Sequence, residues 1–313
     1  MKLEKIGYIW GLLSVNIIFM TKTTFTILSI CALLLSACTS NVRDVSPITK
    51  DEASLNTKID LMNDDVSRII EESENGTYLN TSWGKSGASV EVEKGGPSCL
   101  SVIRIPSFGS AVGENWTVTK TLDYGTQDCQ LSSGNYVRGK IVISYKFTPN
   151  NTNRVVSYRF DGFYHNGFLY DGKSTLERSM IEATANVLRH PQFKLKMNLK
   201  ITSPDGTEYK RAGYKVREHI QGFDTNTTSD DVYSVTGIWS NSFGQAYDII
   251  STISVPLIVK NDCSQSNVDH PKVVQGQISL DRQGVTATID FGDGTTCTPV
   301  RTFTSNGVTV NLD

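Results

Sequence analysis

The chain has 313 residues, with 30 Lys and Arg against 32 Asp and Glu, a formal net charge of −2. So even a balance gives no footing for nucleic acid or an acidic polymer as partner, which would demand a marked basic surplus.

Two apolar stretches open the chain. The first, Ile6 to Phe19, is short and ends in no cleavage site. The second follows Met20: the basic, polar Thr21-Lys22-Thr23-Thr24, then Phe25 to Leu35, then Ser36-Ala37-Cys38. A basic lead, about 7–15 apolar residues and small residues before a cleavage point make a secretory signal. A stretch that short cannot cross roughly 30 Å of hydrocarbon as a helix. Residues 1–37 are therefore expected to be a signal peptide whose true start is Met20.

Leu35-Ser36-Ala37-Cys38 resembles the bacterial lipobox at every position. The resemblance implies that Cys38 becomes the first mature residue and carries a diacylglycerol thioether and an N-acyl chain such as palmitate. Two or more chains anchor stably where one does not. Thr39 rather than Asp after the Cys implies transfer to the outer membrane, with the periplasmic face favoured over the cell surface. Removing residues 1–37 takes out Lys2, Lys5, Lys22 and Glu4, leaving 27 basic and 31 acidic side chains, a balance of −4. The remaining residues suffice for one large β domain or two smaller ones.

Residues 38–50 read as a lipidated tether. Residues 51–76 carry the helix signal, with Leu55, Ile59, Met62, Val66, Ile69 and Ile70 recurring at three and four. Asp51 and Glu52 suit its start and Asn75-Gly76 its end. The apolar stripe is expected to pack on a sheet. Asp64, Asp65, Glu71, Glu72 and Glu74 read as an acidic face that would repel an anionic membrane.

Residues 77–260 read as an antiparallel β domain. Period-two alternation marks Val137 to Phe147, Arg154 to Phe160, Phe193 to Ile201, Val232 to Trp239 and Tyr247 to Val259. Such alternation suits strands with one wet face. Asp161-Gly162, Asn166-Gly167, Asp171-Gly172, Asp205-Gly206, Asp293-Gly294 and Asn306-Gly307 supply tight-turn chemistry between strands. Thr175 to Leu188 fits either a strand or a short helix. The fold expected is mainly β: a large curved antiparallel meander or sandwich with one N-terminal helix.

Four cysteines remain beside Cys38: Cys99, Cys129, Cys263 and Cys297. An even count in an exported chain implies disulfides, and count alone allows three pairings. An internal similarity selects among them. Leu122-Asp123-Tyr124-Gly125 precedes Cys129 and Ile289-Asp290-Phe291-Gly292 precedes Cys297. Gly139 and Gly307 each follow ten residues after the second Cys. A duplicated hairpin unit, closed by Cys99–Cys129 in one copy and Cys263–Cys297 in the other, is the expectation. The second copy, 261–313, is placed on the same sheet.

Chemistry is sparsely signposted. Tyr158, Phe160, Phe163, Tyr164, Phe168 and Tyr170 crowd thirteen residues. They fit a core-filling hairpin, or a stacking platform for a glycan or apolar ligand if several rings face solvent. Asp224, Asn226, Thr228 and Asp230 alternate as in calcium loops, but the sixth place lacks Gly and the twelfth is Val235 rather than Glu. Asp123 and Asp290 suit turns. His165, His190, His219 and His270 are scattered singly and read as surface or packing residues. No nucleophile elbow or phosphate loop appears, and no cofactor is expected. A glycosidase pair has no fixed spacing, so the plentiful carboxylates keep an envelope glycan hydrolase as the alternative.

Together, the lipobox, Gly139-Lys140-Ile141-Val142-Ile143, Ser203-Pro204-Asp205-Gly206-Thr207, Asp230-Asp231-Val232-Tyr233-Ser234-Val235-Thr236-Gly237 and Asp290-Phe291-Gly292-Asp293-Gly294 to Cys297 resemble a family of uncharacterised Gram-negative outer-membrane lipoproteins. The resemblance covers about residue 51 to the end. It implies location and β architecture and lends no catalytic residue. The function expected is that of a lipid-anchored envelope lipoprotein, non-catalytic, binding or structural.

Overall fold

A computed structural model describes residues 45–75, 90–91, 97–106, 116–146, 153–244, 247–263 and 272–312. The apolar leader, Cys38 and most of the tether lie outside these residues. Residues 46–313 make up one compact unit. No helix among the described residues is long and apolar enough to cross a membrane.

Helix α1 (Lys50–Asn75) is opened by a reciprocal cap. The Thr49 hydroxyl accepts from the Glu52 amide at 3.2 Å, and the Glu52 carboxylate accepts from the Thr49 amide at 3.0 Å. Each side chain thus satisfies one orphan amide of the first turn. Ile48, just ahead of the cap, is buried with Ala53 one turn in, the pairing that fixes a helix's entry angle.

Fifteen strands follow, all in one sheet. They are β1 (Val90–Glu91), β2 (Ser101–Ile105), β3 (Thr117–Asp123), β4 (Cys129–Gln130), β5 (Tyr136–Lys146), β6 (Arg154–His165), β7 (Phe168–Ile181) and β8 (His190–Thr202). The second half holds β9 (Glu208–Gln221), β10 (Val232–Ser242), β11 (Ile249–Lys260), β12 (Lys272–Arg282), β13 (Val285–Asp293), β14 (Thr302–Ser305) and β15 (Val308–Asn311). Their spatial order is their chain order, save that β4 pairs only with β5, so every neighbour pair is an antiparallel hairpin neighbour. Among the described residues the fold is mainly β with a single helix. Thr175 to Leu188 divides: its first half completes β7 and the rest is turn, leaving Val187 and Leu188 exposed.

Alternation explains which face is inner. In β8, Phe193, Leu195, Met197, Leu199 and Ile201 are buried while Lys196 and Asn198 are exposed. Glycines let strands bulge and crowd where the sheet bends. At Gly139 (φ 83°) a Cβ would lie 1.9 Å from the Gly162 carbonyl oxygen, and the β5–β6 register slips there. Gly213 (φ 151°) faces Trp239, where a Cβ would lie 2.6 Å from that side chain. Only glycine lets buried Trp239 lie against β9.

Both disulfides form with the expected partners, Cys99–Cys129 and Cys263–Cys297. The likeness between the two units is real but shorter than the sequence implies. In each, a cysteine precedes a hairpin whose second strand ends in Asp-aromatic-Gly. The Asp carboxylate accepts from the Gly amide two residues on, at 2.9 Å in Asp123–Gly125 and 2.7 Å in Asp290–Gly292. Tyr124 and Phe291 are buried in both. Beyond the second cysteine the copies diverge: Gly139 is a bulge inside β5, whereas Gly307 sits in the β14–β15 turn.

Candidate functional site

Helix α1 lies against the inner face of the sheet along two stripes, not one. The apolar stripe (Ile59, Met62, Val66, Ile69, Ile70) is buried as expected. Beside it runs a polar stripe at the same helical spacing: Glu52, Asn56, Asp60, Asn63, Ser67, Glu71, Glu74. Its acids meet cations that point inward from the strands. Glu52 bonds Arg282 of β12; Asp60 bonds both Arg211 and Lys215 of β9; Glu71 bonds Arg217 of β9. Glu74 takes Lys120 of β3 at 3.1 Å and Arg154 of β6 at 2.9 Å. Asn56 donates to Ser251 of β11 at 3.2 Å. Much of the acidic face expected to meet solvent is therefore the helix's docking surface, because the curved sheet covers more of the helix than one apolar stripe requires.

Asp64 and Asp65 point to opposite flanks. Asp65 accepts from His165 at 2.7 Å and Asn135 at 2.9 Å and pairs with Arg68. Burial alone would raise its carboxyl, but the His165 bond, the Arg68 charge and the Asn135 bond outweigh that and hold it at about 2. Asp64 pairs with Lys215 at 3.0 Å and remains 45% exposed. Crowding by protein and the neighbouring Asp60 raise its carboxyl, against the pull of Lys215; solvent reaching the side chain tempers the rise. Glu71 is likewise raised by burial and opposed by Arg217.

The uncovered side of α1 and the inner face of strands β7 to β13 border a cleft of about 740 Å³. Leu61, 46% exposed, presents an apolar side chain to it from the helix. Strands supply Leu176, Phe193, Leu195, Val235, Val259 and Phe291, and Leu312 closes one end. The size falls in the range of small-molecule sites, and an apolar lining with a few polar groups is their usual composition.

No family model, curated protein or solved structure matches this chain.

The sequence candidates distribute as follows. Of the six aromatics, Tyr158, Phe160, Phe163, Phe168 and Tyr170 are buried. Phe160 stacks on Phe163 at 5.5 Å and Tyr170 packs on both at 5.4 and 6.1 Å. Tyr164 alone is half-buried, with the Arg138 guanidinium 3.9 Å over its ring. They form core, and a solvent-facing stacking platform is corrected accordingly: the β6–β7 hairpin turns these rings under the helix, and none of them lines the cleft. At the calcium-like loop, Thr225 and Thr227 hydroxyls donate to Asp230 at 3.0 and 2.9 Å, so that carboxylate serves the turn. Among the described residues the one cluster with metal-ligand proximity is Asp262, Cys263 and Cys297, whose sulfurs are already bonded to each other. His165, His190 and His219 each bond a carboxylate (Asp65, Glu218 and Asp231); His270 lies outside the described residues.

The cleft itself had no motif to announce it. The cations that dock the helix did leave a trace: Lys120 sits in phase with buried Val118 and Leu122, and Arg282 with Val274, Ile278 and Leu280. A charge in phase with an apolar row marks an inward charge awaiting a partner. The Thr49-x-x-Glu52 cap was equally legible.

Proposed function

We propose that this chain is a lipid-anchored envelope protein that holds an apolar ligand, without catalysis, in the cleft between α1 and the curved sheet. The observation that carries this is the cleft's make-up: apolar side chains from at least six strands converge on it. Each carboxylate along it is bonded to a cation: Asp64 to Lys215, Asp65 to Arg68 and Glu71 to Arg217. A hydrolytic acid/base pair would need those oxygens free for substrate and water, which favours binding over glycan hydrolysis. The lipobox ending at Cys38 supports the anchor and the outer-membrane location, and the paired cysteines suit an oxidising compartment.

Two measurements test this. Cells making the full chain are fed an alkyne fatty acid, and Cys38→Ala is compared with wild type; equal label in both would remove the anchor from Cys38. Membranes holding the protein are irradiated with a photoreactive alkyl probe and adducts are mapped by mass spectrometry. Adducts at Leu195, Val235 or Phe291 are expected, and their absence would overturn the ligand site.

A further inference from the structure

The outer face of the sheet, turned away from α1 and the cleft, carries a pattern that no single strand contains. Followed through the pairing register, one row of residues crosses the sheet from Ile105 of β2 to Thr309 of β15, one on each of thirteen strands. Nine of the thirteen are Ser or Thr, and none of the row is buried. In the row beside it, from Ile103 to Thr286, only three of eleven are. Strand propensity favours Thr on a wet face but does not choose one row over its neighbour. The middle of the hydroxyl row is Lys196, Tyr214 and Ile238, opposite one another in register, with Tyr214 41% and Ile238 39% exposed. Lys194 flanks the Tyr214 ring at 5.2 Å. Beside this centre, Arg159 and Lys173 face each other across β6 and β7. Like charges placed directly opposite are unfavourable by themselves. Among the described residues no carboxylate pairs with Arg159, Lys173 or Lys196, and neither row carries an acid from β5 to β11. Glu177, in the row beyond, stands opposite Lys194.

We infer that this face binds an acidic polysaccharide laid across the strands along the hydroxyl row, its carboxylates at Arg159, Lys173 and Lys196. The site is separate from the cleft and does not rest on it. Adjacent strands lie about 4.8 Å apart, close to the length of one sugar unit in an extended chain, so each unit meets a fresh side chain. Hydroxyls both donate and accept, which answers the mixed demand of sugar hydroxyls. Tyr214 and Ile238 give the C–H face of a sugar ring an apolar footing. Three cations with no acid in their rows set the sign of the ligand's charge, and a carboxylate between Arg159 and Lys173 relieves their opposition. The near-even charge of the whole chain conceals a face sorted in this way.

The experiment uses the purified full chain and immobilised polygalacturonate, a carboxylated glycan, beside its methyl-esterified form and polyglutamate. The acidic glycan is expected to bind about tenfold more tightly than either, a factor equal to about 1.4 kcal/mol. Lys173→Glu with Lys196→Glu should remove that preference. Lys50→Glu, the same charge change at the exposed start of α1, should alter nothing. Thr175→Val with Thr252→Val keeps charge and shape but deletes two hydroxyls of the row. It should weaken glycan binding several-fold, which a bare patch of charge would not show. Polyglutamate bound as tightly as the acidic glycan overturns the polysaccharide reading and leaves charge alone. Phosphatidylglycerol vesicles bound with the same dependence on Lys173 and Lys196 overturn it in favour of a membrane surface. Equal binding of the acidic and esterified glycans, or no binding of either by the wild-type chain, overturns the site outright, and none of these results bears on the cleft.

Discussion

Replacing Asp60 by Ala should be among the most damaging single changes to this fold. Asp60 accepts from both Arg211 and Lys215, whose side chains are 1% and 5% exposed. Removing the carboxylate leaves two buried cations facing each other, with Asp64, itself half-exposed, as the one remaining counter-charge. Breaking a buried pair costs about 3–5 kcal/mol, most of it the burden of the orphaned charge. For a chain of this size that is a fall of roughly 10 °C in Tm. The matching measurement is urea unfolding of the purified full chain, followed by tryptophan fluorescence because Trp239 lies against Arg211 at 4.7 Å. Replacing the whole set, Asp60→Leu with Arg211→Met and Lys215→Met, should recover most of the loss, since apolar isosteres of a buried ionic cluster are often neutral. Glu182→Ala is the control, because its pair with Arg189 is exposed on both sides and such pairs contribute little. An Asp60→Ala protein within about 1 kcal/mol of wild type would refute the account of helix docking.

Asp65 gives a pH signature. Its folded carboxyl is held at about 2 against an ordinary 3.8, so its contribution is complete above pH 4 and is lost as pH falls towards 2. Burial raises the Asp64 and Glu71 carboxyls and works in the opposite direction, so the quantity to follow is the stability difference between wild type and Asp65→Asn. It should shrink by about 2 kcal/mol from pH 5 to pH 2; a constant difference contradicts the assignment. Phe163→Ala should cost about 3–5 kcal/mol by urea titration, since the ring is fully buried, while alkyl-probe labelling at Phe291 stays unchanged; the reverse pattern would restore these aromatics as a ligand platform. Cys263→Ser with Cys297→Ser should lower stability by about 3–4 kcal/mol in the chain-entropy model. Because Cys297 lines the cleft, the double variant should also weaken labelling of Leu312; intact labelling would show that the bridge does not shape that end.

Local pattern carried much of the fold. Strands β6, β8 and β10 were readable because one face is wet and the other buried, and α1 because its apolar residues recur at three and four. The pairing of the cysteines followed from the Asp-aromatic-Gly likeness, whose basis is a carboxylate closing a turn in both units. What stayed hidden depends on contacts between residues far apart in the chain. Glu71 looks like surface until Arg217 is brought to it, and the six aromatics fit a core or a platform equally by position until five of them are seen buried. The cleft is assembled from one or two residues on each of seven strands, so no short window of sequence contains it. The inward cations were visible in principle: Lys120 and Arg282 interrupt apolar rows in phase.

The docking of α1 also dictates an order of assembly. Asp60 waits 151 residues for Arg211, and Glu52 waits 230 for Arg282. Among the described elements the first to be synthesised thus has partners that emerge late, and while Glu74 can meet Lys120 of β3 early, Asp60 and Glu52 stay hydrated until β9 and β12 exist. Contacts this remote in sequence make for slow folding. A chain cut short before β12 would keep most of its strands yet leave the helix without its final anchor, which makes the far end of the polypeptide a checkpoint for its beginning.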